Sequence, residues 1–222
     1  MINIKKCYHE RIIFICIIGG YWLSPFLKDQ VMKNINLSSK NLIIAAAIAF
    51  FMLLTRGSHV MTSVALPDAS LALLLISGLY LRKAAWFALF VVLATAIDFG
   101  AAAVDSLQAF CLTAGYWGML PTYAAMWLAG VWLDKQANSF DAIKFTLAAL
   151  VSTIAAFVIS TQTYYLFSGR FPNNGLIETI QYGWNYLPSY MGFTAMYLIG
   201  FWVLAKASAK FNFVKQLSNN IA

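Results

Sequence analysis

The chain of 222 residues is 61% hydrophobic and only 10% charged, with a mean hydropathy of +0.72, which excludes an ordinary soluble domain. Its net charge of +7 comes without a basic cluster interleaved with aromatics, so nucleic acid is not an expected partner. Three cysteines without CxxC or Cys/His spacing give neither a disulfide framework nor a zinc site.

Long apolar runs recur along almost the whole length, and about 20 residues of helix span a bilayer core. A backbone in lipid must satisfy its own hydrogen bonds, and uninterrupted runs mean helices where alternating ten-residue segments would mean a barrel. The expected fold is all-α, a polytopic membrane helical bundle with six core transmembrane helices.

Residues 1–40 form an N-terminal extension that fits this pattern poorly. The run IIFICIIGGYWLSPFL is short for a span and would place Lys5, Lys6 and Arg11 on the outer side. It has the charged start and apolar middle of a signal peptide, without a small-residue cleavage pattern. Both an extra peripheral helix and a surplus start, with Met32 as the true first residue, stay open.

The six core spans run from about Asn41 to Thr55, Ser70 to Leu81, Ala84 to Val104, Leu112 to Leu133, Phe145 to Phe167 and Leu187 to Lys206. Residues 41–206 therefore make the membrane domain and residues 207–222 a C-terminal tail. In the first span Ala45 and Ala49 lie four apart on one face, small enough for another helix to approach closely. The connection RGSHVMTSVALPD holds Gly57 and Pro67, which interrupt helix, and Asp68, which can cap the next helix at its start. VDSLQAF precedes Cys111, and SGRFPNNGLIETIQYGWN, residues 168–185, reads as an ordered loop or short re-entrant piece.

Lysine and arginine sort by side. Lys28, Lys33, Lys40, Arg82, Lys83, Lys135, Lys144, Lys206, Lys210 and Lys215 fall on one side, and only Arg56 and Arg170 on the other. The positive-inside rule makes the first side cytoplasmic, so both core termini are inside. His59, Asp68, Asp98, Asp105, Cys111 and Glu178 then face outward, which in a Gram-negative cell would be the periplasm.

Ionisable groups at membrane depth are expensive and default to functional candidates. Asp98 is the sharpest, lying inside ATAIDFGAAAV, and Arg170, the cation of its loop, is a plausible bidentate partner. Asp105 and Glu178 read as solvated loop charges. Cys111 admits three readings: a small buried hydrophobe, a nucleophile needing His59 as its base, or a soft metal ligand whose thiolate an adjacent cation would favour. His59, alone in a loop, reads more readily as a surface residue than as a ligand. Aromatics crowd the outer side from Tyr164 to Tyr190, as an interfacial belt or as the wall of a pocket for a large organic ligand.

On three features the chain resembles the BtuM family, the solitary S-components of energy-coupling-factor type that take up cobalamin in Gram-negative bacteria. These are LPDASLALLLISGLYLRK, residues 66–83; the spacing of Asp98, Cys111 and Tyr116; and YYLFSGRF, residues 164–171, which carries Arg170. The resemblance covers about Asn41 to Lys206. It implies a six-helix S-component bundle in the inner membrane, with a cobalamin cavity open to the periplasm. Cys111 would be the axial thiolate ligand of cobalt, with Asp98, Tyr116 and Arg170 around it and His59 and Asp68 in loops near the vitamin. Cyanocobalamin would then lose its cyanide on binding. Ala45 and Ala49 match the AxxxA motif by which S-components meet an energy-coupling membrane subunit.

No P-loop or Walker-type strand is present, so the chain cannot hydrolyse ATP itself. The alternatives are an intramembrane cysteine enzyme using Cys111 and His59, a haem or other tetrapyrrole-binding membrane protein held through either residue, and a non-catalytic assembly factor.

Overall fold

The computed structural model describes residues 39–56, 66–104, 112–171 and 183–221, together with Ala109 and Gln181, with side chains as far as Ser208. The backbone separates into two units, residues 1–36 and residues 37–222. All the described residues belong to the second.

Six α-helices occupy the six apolar stretches, and no strand occurs among the described residues. They are α1 (Ser39–Arg56), α2 (Ser70–Leu81), α3 (Ala84–Val104), α4 (Met119–Asp134), α5 (Ala142–Phe167) and α6 (Leu187–Ile221). Single 3-10 turns, Ala114–Gly118 and Trp184–Tyr186, lead into α4 and α6. Four helical segments are long and apolar enough to cross a membrane: α1, α3, α5 and Trp184–Ser208. The other two, α2 with 12 residues and α4 with 16, fall short of the roughly 20 that a spanning helix needs. The expectation of six full spans is thus met in helix number and not in length.

Burial explains why a short helix suffices at α2. α2 is apolar all round, as SLALLLISGLYL shows, and every residue except Leu71 and Tyr80 is buried. A helix without a polar face belongs in an interior. It packs on α4 through two glycines. A Cβ on Gly78 would collide with the backbone carbonyl of Trp127, and one on Gly130 with that of Leu75, so only hydrogen lets the two main chains meet. By contrast, α3 buries only Trp86, Phe90 and Ala94 and shows the rest of its apolar surface to the surroundings. That inversion is normal where the surroundings are lipid.

The helices alternate in direction, so each kind of end gathers at one side. One end collects Lys40, Lys83, Lys135, Lys144 and Lys206. There Arg82 closes α2 with a positive φ of 44° and its Nε lies 2.8 Å from Asp134 Oδ2 at the end of α4. Trp202 Nε1 of α6 donates to the carbonyl of Phe140, just before α5 (3.2 Å). Asp141 caps α5 by accepting from the backbone N–H of Lys144 (3.0 Å). The opposite, lysine-poor end holds Arg56, Asp68, Asp98, Tyr116 and Arg170.

On α1 the inward face is Ala45, Ile48, Met52 and Thr55. Ala45 is therefore packed within the bundle and Ala49 is half-buried, so of the AxxxA pair only Ala49 offers surface to another protein.

Candidate functional site

At the lysine-poor end α1 finishes on Arg56, the last residue of an apolar helix, at 9% side-chain exposure. A guanidinium there must find anions, and two carboxylates supply them. Asp98, on the penultimate turn of α3, receives Arg56 Nε on Oδ1 (2.5 Å) and Nη2 on Oδ2 (2.6 Å). This is the planar fork-to-fork pairing for which guanidinium and carboxylate are matched. The remaining nitrogen, Nη1, donates to Asp68 Oδ2 (2.8 Å) and to Ser70 Oγ (3.0 Å) at the start of α2. A fourth contact is to a ring, the guanidinium carbon standing 5.7 Å from the centroid of Tyr123.

The loop ahead of α2 is fixed from several sides. Asp68 Oδ1 accepts from the backbone N–H of Ser70 (2.8 Å) and from its hydroxyl (2.6 Å). The N-cap itself is Ala69, without a side-chain cap bond, so Asp68 turns the chain into the helix from one residue outside it and is not the cap expected. The N–H of Ala69 donates to Thr55 Oγ1 (3.4 Å), and Tyr197 Oη from α6 donates to the carbonyl of Pro67 (2.8 Å). Residues 66–69 are thereby tied to α1 and α6 as well as to α2.

Tyr116 completes the cluster. Its hydroxyl donates to Asp98 Oδ2 (2.8 Å), and its ring meets Phe99 edge to face at 6.0 Å. The 3-10 turn that carries it lies against the last turns of α5, where a Cβ on Gly115 would come within 2.7 Å of the Thr163 carbonyl oxygen. Glycine at 115 and 118 is what lets this turn sit so close. The result is one guanidinium, two carboxylates and a phenol in mutual contact, with one negative charge in excess. Asp98 accepts three hydrogen bonds and is 19% exposed, whereas Asp68 is 48% exposed and reaches solvent. Chemically the arrangement is an organiser: it fixes the Tyr116 ring and the loop before α2.

Of the residues singled out in the sequence, Asp98 and Tyr116 are in direct contact and Asp68 joins them through Arg56. Arg170 is not the partner of Asp98, whose two oxygens are held by Arg56. It follows Gly169, which takes a φ of 68° where α5 ends, and its own N–H donates to Ser168 Oγ (3.3 Å). It stands at the same end of the bundle, exposed. Cys111 and His59 lie outside the described residues, as do Asp105 and Glu178. Among the described residues no group of three or more His, Cys, Asp or Glu is placed to hold a metal.

Arg56 is the residue that sequence reasoning undervalued. The signal was present: it and Arg170 are the cations of the lysine-poor side, and Arg56 directly ends an apolar run, where an unpaired charge is least tolerable. The aromatics of this end are of two kinds. Trp117 and Tyr186 are 65% and 67% exposed, as in an interfacial belt. Tyr165 and Phe171 pack ring to ring at 4.6 Å with Tyr164 beside them, and Phe157 joins Tyr190 at 5.3 Å. No protein-family model matches the chain, and no curated protein matches it.

Proposed function

We propose that this protein binds cobalamin or a related corrinoid at the lysine-poor end of the bundle and carries it across the bacterial inner membrane, with that end facing the periplasm. The observation that supports the reading is the 2.8 Å contact between Tyr116 and Asp98. The resemblance to BtuM proteins assigns these two residues, far apart in sequence terms, to a common site. The charge asymmetry supports the orientation, since lysine-rich ends stay in the cytoplasm.

In this reading the thiolate of Cys111, five residues before Tyr116, takes the axial position on cobalt, and Arg170 borders the corrin. A thiolate is a soft donor suited to such a metal. With cyanocobalamin the exchange is a ligand substitution. The Co–S bond forms as the Co–C bond to cyanide breaks, cyanide leaves with its electron pair, and cobalt keeps its oxidation state. Arg56 holds Asp98 and Asp68 in place and so positions Tyr116. Energy comes from outside the chain, and the half-buried Ala49 on α1 is where a coupling subunit would dock.

The test is the visible spectrum of protein purified from cells supplied with cyanocobalamin. The expected result is a corrinoid spectrum shifted from that of the free vitamin, with the shift lost in Cys111→Ala. A haem Soret band, or a colourless protein, overturns the proposal. Transport is tested separately by rescue of cobalamin-dependent growth in a strain lacking its own importer.

A further inference from the structure

A lateral groove with a volume of about 360 Å³ opens between α5 and α6, away from the Arg56 cluster. Its walls are apolar: Phe145, Ala149 and Leu150 on one side face Ala195, Ile199 and Val203 on the other, with two threonines as the polar exceptions. Leu150, Ile199 and Val203 are exposed on segments apolar enough to cross a membrane, so the groove opens toward hydrocarbon.

We propose that this groove seats one anionic phospholipid, an acyl chain in the groove and the phosphate at its mouth beside Lys206. Length is the first argument. On α5 the groove runs from Ala142 to Thr153, about 16 Å at the rise of an α-helix. That is half of the roughly 30 Å hydrocarbon core, the depth of one leaflet. A partner helix spanning the membrane would need a groove twice as long.

Charge is the second argument. The groove begins at the end of the bundle that gathers the lysines. Trp202 lines its mouth, and Lys206, one turn further along α6, places Nζ 5.5 Å from the Trp202 ring centroid. Lys144, in the first turn of α5, is turned off the groove side, its Nζ donating to Gln136 Oε1 (3.4 Å). An indole at headgroup level with the Lys206 ammonium beside it is complementary to a phosphate diester and not to a neutral surface. The tie from Trp202 Nε1 to the Phe140 carbonyl fixes the mouth, because it joins α6 to the residues leading into α5. The site would bind on the cytoplasmic leaflet, where anionic lipids lie, and it does not depend on what the protein transports.

The experiment is native mass spectrometry of the full chain, delipidated in detergent and titrated with phosphatidylglycerol or phosphatidylcholine of identical acyl chains. One phosphatidylglycerol should bind at concentrations where phosphatidylcholine does not. Lys206→Gln should weaken it about fivefold, from the attraction that one lysine near the surface contributes. Lys206 is exposed, so this variant does not disturb the core. Ala195→Trp, at an exposed groove position, should remove binding of either lipid. Equal binding of the two lipids, unchanged binding in Ala195→Trp, or a polypeptide retained in the groove that neither lipid displaces would overturn the proposal.

Discussion

Arg56 and Asp98, forty-two residues apart, meet edge to edge, Nε on Oδ1 at 2.5 Å and Nη2 on Oδ2 at 2.6 Å. This pair joins the end of α1 to the end of α3, and the third nitrogen of the same guanidinium reaches the start of α2. One side chain thus ties three helix ends together.

Removing one partner leaves the other charge buried and uncompensated. Arg56→Met should therefore lower stability by about 3 kcal/mol, the usual cost of breaking a buried pair. Arg56→Lys should recover only part of that, because an ammonium cannot make the two parallel bonds. The double variant Arg56→Met/Asp98→Leu should be more stable than Arg56→Met alone, since no charge is then stranded. Thermal unfolding in detergent checks all three, and simple additivity of the two single losses would contradict the coupling.

The two carboxylates on Arg56 should differ in importance. Asp98→Asn removes a partner at 19% exposure and should cost about 3 kcal/mol. Asp68 is 48% exposed, so losing its charge costs little, and its remaining contribution is the bond to the Ser70 N–H. Asp68→Asn should cost about 1 kcal/mol or less, because the asparagine oxygen can still accept from the Ser70 N–H. Equal losses in the same unfolding assay would show that the exposed carboxylate carries more than this geometry allows.

The α2–α4 crossing can be probed by one methyl group. Gly78→Ala and Gly130→Ala each drive a Cβ into opposing backbone, which cannot rotate away, and each should destabilise by about 1–3 kcal/mol. Gly200→Ala on α6 meets nothing within 4 Å and should stay within about 0.5 kcal/mol of the parent. Melting temperatures of the three variants give the comparison.

Orientation is accessible to chemistry at exposed positions of the two ends. In a background with Cys7, Cys16 and Cys111 replaced by alanine, Tyr186→Cys should react with a membrane-impermeant maleimide in intact cells. Ala137→Cys, in the loop between α4 and α5 at the lysine-rich end, should react only after the cells are opened. The reverse pattern would invert the expected topology and overturn the proposed periplasmic placement of the Arg56 end.

Hydropathy made the elements legible. Ser70–Leu81 and Ala84–Val104 fold over the limits their apolar runs suggest, because Pro67 and Asp68 precede the one and Arg82 separates it from the other. The stretch expected to begin at Leu112 instead opens with a 3-10 turn and becomes α-helical at Met119, since Gly115 and Gly118 hold that turn against α5. The last helix runs on past Lys206 to Ile221, as nothing in AKASAKFNFVKQL stops it. At the site, Asp98 and Tyr116 could be named beforehand, but not the partner of Asp98. Periodicity tells which face of a helix is apolar; it does not tell which helix ends converge, and that convergence decides between Arg56 and Arg170.

The glycine contact between α2 and α4 also limits how the protein can move. Two main chains that touch have no layer of side chains between them to slide upon. A twist of either helix by one residue would bring Leu79 or Val131 where only hydrogen fits. This pair therefore behaves as a fixed axle, and a rearrangement of the bundle is a tilt of the outer helices around it.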